Sequence, residues 1–334
     1  MADERARVAG LITASWSTRV IAVACELRLF DALAAGPSTA AQLAAETGSQ
    51  PQALFRLLRG LASLELVSDL GGESFELTDA GRLLCEGAPG SIRGMALHWG
   101  QRLWSAFSQI DQSVKTGKPW RISGLEGFEH MSSDPAQMAM FHQSMADQTA
   151  PVARTMLAAY DLSGAHKVMD VGGSYGALLA AVLNAHPSLS GEVFDLEGLA
   201  EASTAYLKSQ GVADRARFTA GSFFETIPSG ADVYMLKSII HDWHDEDALR
   251  IMRQLAAAMS PPAKALLIEQ VAPDRVRGGE DIVAIRADLM MLTATGGRER
   301  TIGEYRELFE AAGLKLGQVI PTVSAFSVIE ALPA

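Results

Sequence analysis

Residues 168–183, VMDVGGSYGALLAAVL, combine an apolar strand pattern, an acidic residue and closely spaced glycines ahead of a helical pattern. The strand ends at Asp170, and Gly172, Gly173 and Gly176 form the turn that follows it. A glycine turn between a strand and a helix brings the backbone close to a bound ligand. Because the sequence contains neither the GxxxxGK[ST] phosphate loop nor the dinucleotide GxGxxG at this point, the ligand is expected to be of another kind.

Asp195 ends the next strand, in the sequence GEVFDLEGL. A carboxylate at the end of a parallel strand can accept hydrogen bonds from both ribose hydroxyls of an adenosine. It can equally cap the helix that follows. Both interpretations remain open on these residues alone.

The composition excludes several classes of function. The 334 residues include 28 basic and 39 acidic ones, and the net charge of −11 opposes binding to nucleic acids or to anionic membranes. Two cysteines, Cys25 and Cys85, are too few for a disulfide framework or a CxxC zinc site. We find no signal-like start and no apolar run of 18 residues, so the sequence predicts a cytoplasmic protein without a membrane span.

Residues 1–95 read as helices followed by a hairpin, which is the winged-helix pattern. One helix is predicted over TRVIAVACELRLFDALAAGP, ending at Gly36-Pro37, and Ser38 is expected to cap the next helix. DNA binding is one hypothesis for this pattern, but residues 37–90 contain three basic and seven acidic side chains, which repel phosphate. A dimerising or packing module is therefore the favoured interpretation.

The rest of the chain divides into a helical segment, residues 96–160, and an alternating region, residues 161–334. Methionine and aromatic residues are frequent in the helical segment, where they suit either a core or the wall of a pocket for a flat molecule. The alternating region predicts an α/β fold whose parallel sheet is covered on both faces. Its last two strands have no helix between them, which predicts an antiparallel hairpin at one edge of the sheet.

Four stretches, VMDVGGSYG, FDLEGL, GSFFETIPSGADVYMLKSIIHDWHDEDALRIM and GGRERTIGEYRELFEAAG, resemble the small-molecule O-methyltransferases that use S-adenosylmethionine. That family includes plant caffeate and flavonoid enzymes, acetylserotonin O-methyltransferase and bacterial antibiotic-tailoring enzymes. The resemblance covers almost the whole chain. It implies a Rossmann-like class I methyltransferase domain with an antiparallel edge hairpin, a winged-helix-like dimerisation domain, a homodimer, and no metal.

The resemblance also implies the residues that bind the cofactor. The glycine turn would pass under the methionine part of S-adenosylmethionine, Asp195 would hold the ribose, and Ser222 and Phe223 would flank the adenine. Many relatives carry aspartate where this sequence has Ser222, so one polar contact is altered. The full set implied is Gly172, Gly173, Asp195, Leu196, Ser222, Phe223 and Lys237.

His241, in SIIHDW, matches the histidine that acts as the base in this family. A phenol has a pKa of about 10, so a base at hydrogen-bond distance accelerates methyl transfer by about 10²- to 10⁴-fold. Histidine suits this role because its ordinary pKa lies near neutrality. Glu299 and Glu330 match the two glutamates that flank the histidine in relatives. Asp242 could support the neighbouring His241, but the favoured assignment is to the acidic first turn of the following helix, together with Asp245, Glu246 and Asp247.

The acceptor expected from the resemblance is a hydroxyl, taken as phenolic, of a small aromatic or polyketide-type compound. Its pocket would be lined by residues from two parts of the chain, namely Trp99, Phe141 and Met145, and Asp288, Met291 and Leu292. Two alternatives remain open at this point. Some relatives use the same fold and cofactor for hydroxylation, decarboxylation or pericyclic reactions, and a winged-helix regulator is a hypothesis from a different class.

Overall fold

The computed structural model describes residues 2–120 and 135–334, with the backbone alone at residue 2, at residues 135–140 and at residue 280. It groups the chain into two compact units. One unit contains Met1–Ser105 and Ala136–Gln148, and the other contains Ala106–Pro135 and Thr149–Ala334. Residues 121–134, in the predicted helical middle segment, lie outside the described residues. The boundaries predicted at residues 95 and 160 stay predictions.

The first unit contains the helices and the small hairpin that the sequence predicts. Its strands β1, β2 and β3 form an antiparallel sheet in the order β1-β3-β2, and the chain reverses at Gly71 and Gly72, both with positive φ. The strands are Ser38–Thr39, Val67–Gly71 and Ser74–Leu77. The helices α1 to α7 are Ala2–Thr13, Ser15–Glu26, Leu29–Ala34, Ala40–Thr47, Pro51–Ser63, Asp79–Arg82 and Arg93–His98.

Two local predictions in this unit are wrong. The helix predicted up to Gly36-Pro37 is two helices, α2 and α3, because Arg28 adopts a left-handed conformation with φ 56° between them. Helix α4 is capped by Thr39 rather than by Ser38. The Thr39 side chain accepts from Gln42 N at 3.3 Å while Gln42 Oε1 accepts from Thr39 N at 2.8 Å, which is a capping box.

The second unit contains a seven-stranded sheet in the order β6-β5-β4-β7-β8-β10-β9. Strands β4 to β8 pair in parallel, while β10 pairs antiparallel with both β8 and β9. These strands are Lys167–Val171, Ser190–Asp195, Ala216–Ala220, Val233–Lys237, Lys264–Gln270, Leu314–Pro321 and Phe326–Pro333, numbered β4 to β10. The predicted parallel sheet with an antiparallel edge hairpin is confirmed.

Helices cover both faces of this sheet, as the sequence predicts. Helix α8 is Trp104–Phe107, after a π-helical turn at Trp99–Leu103. Helices α9 to α15 are Ile110–Thr116, Pro135–Ala159, Ala177–Ala185, Ala200–Ser209, Asp245–Ala258, Ile282–Ala294 and Ile302–Ala311. Alternate residues of a strand enter opposite cores: Tyr234 and Leu236 pack in one cluster and Met235 in the other.

One edge of this sheet collects the carboxyl ends of the parallel strands. Asp195, Lys237 and Gln270 end β5, β7 and β8 there. Strand β10 enters at the same edge, since Phe326 pairs with Gln270, and then runs towards the opposite edge. A residue late in β10 is therefore far from this edge.

The amino-terminal helices expose a large apolar surface. Leu11 is 62% exposed and Ile12 is 74% exposed, and Val8 and Trp16 are also exposed. In the part of the chain that the structure describes, Asp3–Glu26 is one helical stretch long and apolar enough to cross a membrane by length and composition alone. That stretch includes polar side chains and Arg19, so it is not an uninterrupted apolar run, and the predicted absence of a membrane span stays a prediction. An exposed apolar face of this size needs a partner to cover it, and a second copy of this chain is the partner that the resemblance implies.

We expect the double substitution Leu11→Lys with Ile12→Lys to convert a dimer into a monomer, because charged side chains cannot be buried in an apolar interface without a partner. Light scattering checks this. The wild-type protein should have a mass of about 71 kDa, twice the chain mass of 35.5 kDa. The control is Val323→Lys, which changes an apolar side chain that is 97% exposed on the β9–β10 hairpin. A monomeric wild type, or a dimer that survives the double substitution, would contradict this model of the interface.

Candidate active site

His241 lies just beyond the carboxyl end of β7. The chain leaves the strand through Ser238, whose φ of 55° is left-handed, and forms a short 3₁₀ turn at Ile240–Asp242. We call residues 239–243 the His241 turn. His241 itself is buried, with 7% of its surface exposed. The sequence prediction that places this histidine at the ligand-binding edge of the sheet agrees with this position.

The His241 ring is held by a carboxylate. Nδ1 lies 2.9 Å from Glu299 Oε1, and the Glu299 side chain is fully buried. The other ring nitrogen, Nε2, lies 3.8 Å from Asp242 Oδ1. A carboxylate at Nδ1 keeps a proton there, so in the neutral ring Nε2 has the free lone pair. The arrangement is that of a base and its orienting acid.

Glu269, near the end of β8, is a third member of this group that the sequence reasoning missed. Its Oε2 lies 3.7 Å from His241 Nδ1, and its Oε1 accepts hydrogen bonds from Ile239 N at 3.0 Å and Ile240 N at 2.9 Å. In the sequence Glu269 directly follows the apolar residues of KALLIEQ, where a glutamate indicates the end of a strand rather than a functional site. Only the pairing of β7 with β8 places it beside the histidine.

Glu330, predicted as a partner of His241, lies elsewhere, and that prediction is wrong. Its carboxylate accepts from the Tyr160 hydroxyl at 2.5 Å and lies 3.5 Å from Lys264 Nζ, at the start of β8. The cause is the direction of β10, which starts at the carboxyl edge and leads away from it. Glu330 pairs with Leu266 and therefore lies well inside the sheet, away from that edge. Glu330 connects Tyr160, the residue after α10, to Lys264 of β8. Glu269 lies beside the imidazole instead.

Burial and charge set the protonation of this group. Burial alone lowers the pKa of His241, but the negative charges of Glu299, Glu269 and Asp242 outweigh it and raise that pKa to about 10. Burial raises the pKa of Glu269 to about 7, with the positive charge of His241 opposing the rise. The free protein therefore favours an imidazolium at neutral pH, unlike the near-neutral pKa expected from sequence.

The ligand atoms of His241, Glu269 and Glu299 lie within 4.8 Å of one another. Imidazole and carboxylates are also ligands for divalent cations. In this arrangement Nδ1 is at hydrogen-bond distance from Glu299, which is the contact a base needs. The expectation that the protein uses no metal stays a prediction.

Asp242 is part of the His241 turn and not of the following helix. Helix α13 begins at Asp245, and its acidic first turn consists of Asp245, Glu246 and Asp247. The assignment of Asp242 to that turn is wrong. Its carboxylate faces the imidazole, where its charge helps to hold the ring proton.

The glycine turn after β4 is packed too tightly for side chains. Gly172 has φ 69°, and a Cβ there would lie 2.5 Å from Ile239 Cδ1. A Cβ on Gly173 would lie 2.6 Å from the carboxyl carbon of Asp170. Ser174 adopts φ 55°, an uncommon conformation for a residue with a side chain. The structure thus explains the glycines, and binding of a cofactor over this turn stays a prediction.

Asp195 lies beside this turn, at the end of β5. Its Oδ2 accepts from Ser174 N at 2.8 Å and its Oδ1 accepts from Leu196 N at 2.7 Å. Burial raises the pKa of this carboxyl, and the two backbone hydrogen bonds oppose the rise. Each oxygen accepts one bond and has a second lone pair for a ribose hydroxyl. Leu196 is 53% exposed, so an apolar surface is free beside the carboxylate.

The other residues predicted to bind the cofactor also follow strands of this sheet. Ser222 and Phe223 come just after β6, where Ser222 Oγ accepts from Phe224 N at 3.3 Å and the Phe223 ring packs at 5.9 Å from the Trp243 ring. Lys237 ends β7 with Nζ 3.3 Å from Ser238 Oγ. Burial lowers its pKa, and nearby carboxylates oppose that change.

The residues predicted to line the acceptor pocket belong to both units. Asp288, on α14, accepts a hydrogen bond from Glu299 N at 3.0 Å, which connects it to the segment that orients His241. The buried Met291 Sδ lies 3.7 Å from Thr295 Oγ1, and Leu292 is half-buried on the same helix. In the first unit, the half-buried residues are Trp99, Phe141 and Met145. For all six, contact with an acceptor stays a prediction.

Comparison with known proteins identifies the family. The O-methyltransferase domain model matches residues 107–315, and the O-methyltransferase dimerisation domain model matches residues 9–87. The chain belongs to the S-adenosylmethionine-dependent O-methyltransferases. The structural model has the class I methyltransferase fold of that family, and the dimerisation domain supports a homodimer.

Individual relatives are similar over nearly their full length. Phenazine O-methyltransferase PhzM of Lysobacter antibioticus is 34% identical over 97% of this chain and 94% of its own. The crystal structure of LaPhzM has a TM-score of 0.94 at 33% identity and 99% coverage of both chains. The O-methyltransferase NcsB1, solved with S-adenosylmethionine and 2-hydroxy-5-methyl naphthoic acid, has a TM-score of 0.80 at 34% identity, covering 95% of this chain and 96% of its own.

One relative is named for a different reaction. Aclacinomycin 10-hydroxylase RdmB of Streptomyces purpurascens is 34% identical over 88% of this chain and 80% of its own. The family therefore includes a protein named for hydroxylation. Family membership alone does not identify the acceptor.

We expect Asp195→Ala to weaken S-adenosylmethionine binding by about 100-fold or more, because truncation removes two charge-assisted hydrogen bonds to the ribose, each contributing about 1.5–3 kcal/mol. Isothermal titration calorimetry measures this. The matched control is Asp232→Ala, since Asp232 also accepts two backbone N–H groups, His166 N and Lys167 N, but at the amino end of β4. Equal affinity in Asp195→Ala and the wild type would refute the ribose assignment.

We expect kcat/KM to rise with pH towards about 10 in the wild type, because kcat/KM reports the free enzyme, where the raised pKa of His241 keeps the proton on the ring. Glu299→Gln removes a negative charge, so the pKa of His241 falls and the break in the profile moves to lower pH. Glu330→Gln is the control that leaves the break in place.

An acceptor phenol contributes its own rise at a pKa of about 10, but Glu299→Gln does not change that contribution. A break that stays at the same pH in Glu299→Gln would therefore contradict the electrostatic role of Glu299.

Proposed function

We propose that this protein transfers a methyl group from S-adenosylmethionine to a hydroxyl of a small aromatic or polyketide-type acceptor, with His241 as the base. The observation that carries the proposal is the buried hydrogen bond between His241 Nδ1 and Glu299 Oε1 at 2.9 Å. It is supported by family membership and by relatives that act on phenazine and mitomycin compounds by name. We further propose that this hydroxyl is phenolic.

The residues at the carboxyl edge fit the cofactor. Asp195 offers lone pairs for the ribose beside the exposed Leu196. Phe223 offers an apolar ring for the adenine. When bound, S-adenosylmethionine supplies an electrophilic methyl group on a positively charged sulfur.

The chain's own contribution is to orient the acceptor and to take its proton. The hydroxyl O–H bond breaks and its proton moves to His241 Nε2, which would allow the oxygen to take the methyl group while the methyl–sulfur bond breaks and S-adenosylhomocysteine leaves. Glu299 holds the ring by Nδ1 and stabilises the imidazolium that results. Since the pKa of Glu269 is about 7, this carboxyl can hold a proton near neutrality, which removes one of the charges that oppose a neutral imidazole.

We expect His241→Gln to lower kcat by about 10²- to 10⁴-fold at neutral pH while the affinity for S-adenosylmethionine stays within about twofold, because general base catalysis contributes that much. The assay measures S-adenosylhomocysteine and the mass of the product with a panel of phenols and polyketides. His244→Gln is the control, since His244 is exposed three residues away. Full turnover in His241→Gln would overturn the assignment of the base.

The same assay separates the other hypotheses. A product that gains oxygen instead of a methyl group would favour the hydroxylase alternative. Turnover should be unchanged by EDTA, and a loss that Mg²⁺ or Zn²⁺ restores would show that the buried histidine and glutamates bind a metal.

A further inference from the structure

The His241 turn has backbone groups that no helix of its own satisfies. The 3₁₀ helix is three residues long, from Ile240 to Asp242, and no side-chain cap bonds to it. Two backbone hydrogen bonds lie within the turn, from Asp242 N to Ile239 O at 3.2 Å and from Trp243 N to Ile240 O at 3.3 Å. Its other buried N–H and C=O groups need partners from other elements, since an unpaired buried polar group costs about 1–3 kcal/mol. How these groups are satisfied decides how firmly the histidine is held.

Two elements hold the turn from opposite sides. Glu269 accepts both N–H groups, from Ile239 and Ile240, as described above. On the carbonyl side, Arg298 N donates to His241 O at 2.9 Å. One side chain, Arg300, binds two further carbonyls of the turn, those of Ile240 and Trp243.

The Arg300 guanidinium spans the turn. One terminal nitrogen donates to Ile240 O at 2.8 Å, and the other donates to Trp243 O at 3.0 Å. These carbonyls flank the histidine in the chain. A planar guanidinium offers several fixed N–H donors, whereas the single ammonium of lysine cannot reproduce that geometry. The Arg300 side chain therefore bridges Ile240 and Trp243 across the His241 turn.

Arg300 is itself held rigidly. The residue is 1% exposed, its guanidinium donates to Asp245 Oδ1 at 2.7 Å, and its backbone O accepts from Ala272 N at 3.0 Å. It thus connects the end of β8, the start of α13 and the His241 turn. Because Glu299 is the preceding residue, one short segment positions both the ring partner and the turn that carries the ring.

We propose that Arg300 is a positioning residue for the base: its guanidinium sets the His241 turn so that Nδ1 meets Glu299 and Nε2 faces the acceptor. This inference rests on the proposed function. The guanidinium acts through the two carbonyls, and the charges that govern the imidazole are those of Glu299, Glu269 and Asp242. Arg300 touches none of the reacting groups.

The test compares Arg300→Lys and Arg300→Met with the wild type. We expect kcat to fall about 10- to 100-fold, because a displacement of about 1 Å in a reacting group can cost about 10²-fold. The dissociation constant of S-adenosylmethionine and the KM of the acceptor should change by less than about threefold. The matched control is Arg215→Met, since Arg215 also binds main-chain carbonyls, Leu183 O and Leu189 O at 3.0 Å, but away from His241.

A double-mutant cycle separates positioning from general destabilisation. If Arg300 acts through the histidine, Arg300→Lys should reduce kcat in the wild type but have little further effect in a His241→Gln background. A similar reduction in both backgrounds would overturn the proposal. If His241→Gln alone leaves turnover unchanged, the proposed base fails first, whereas a normal kcat in Arg300→Lys with an impaired His241→Gln overturns only the role of Arg300.

Proton NMR provides a readout that loss of stability alone does not move. The Nδ1–H of His241, bonded to Glu299, should give a downfield resonance that is missing in His241→Gln, shifted in Arg300→Lys and unchanged in Arg215→Met. If neither Arg300 variant folds, Asp245→Ala decides, because truncation of this 64% exposed side chain removes the acceptor of the Arg300 guanidinium. Arg298→Met is the control, since Arg298 is the second arginine that Asp245 binds. A lower kcat with a shifted resonance supports the proposal, and wild-type values of both overturn it.

Discussion

The burial of one imidazole beside two carboxylates is the constraint on which the rest of this edge of the sheet depends. Taking such charges out of water is costly unless each one is paired or hydrogen-bonded. The surrounding structure supplies partners for one oxygen of each glutamate: Glu269 Oε1 accepts from two backbone N–H groups, and Glu299 Oε1 contacts the imidazole. The close approach of the two segments explains Gly297, where a Cβ would lie 2.0 Å from His241 O.

The same constraint couples the titration of His241 to that of Glu269. Burial lowers the pKa of His241, but the negative charges of Glu299, Glu269 and Asp242 outweigh it and raise that pKa to about 10, while burial raises the pKa of Glu269 to about 7. A strong base that is already protonated cannot accept a proton, so the useful state is one in which the proton has moved to a carboxyl. Two glutamates around one histidine therefore serve different purposes: Glu299 orients the ring, and Glu269 can balance its charge.

The fold, and the edge of the sheet where the parallel strands end, could be predicted from the sequence because both depend on local patterns. Strand runs such as KVMDV and ARFTA, the glycine turn and the hairpin at Gly71 are signalled by neighbouring residues. The assignment of Glu330 failed because it depended on strand direction and register, which no local pattern encodes. Glu330 pairs with Leu266 and so lies beside Lys264, whereas Glu269 is at the edge where His241 lies. Since the last strand enters at the carboxyl edge, its later residues could have been excluded.

The cofactor turn and the His241 turn are packed directly on one another, which couples their positions. The side chain of Ile239 fills the space where a Cβ of Gly172 would be, and the Ile239 N–H is bound by Glu269. A shift of the glycine turn must therefore move Ile239 or open a gap beside it, because tightly packed interiors do not deform continuously. The residue that lies against the predicted cofactor loop also begins the turn that carries the base. A cofactor bound over the glycine turn, as predicted, would be aligned with the proposed base through this one contact surface. The packing of Ile239 accounts for a glycine at residue 172 independently of any ligand.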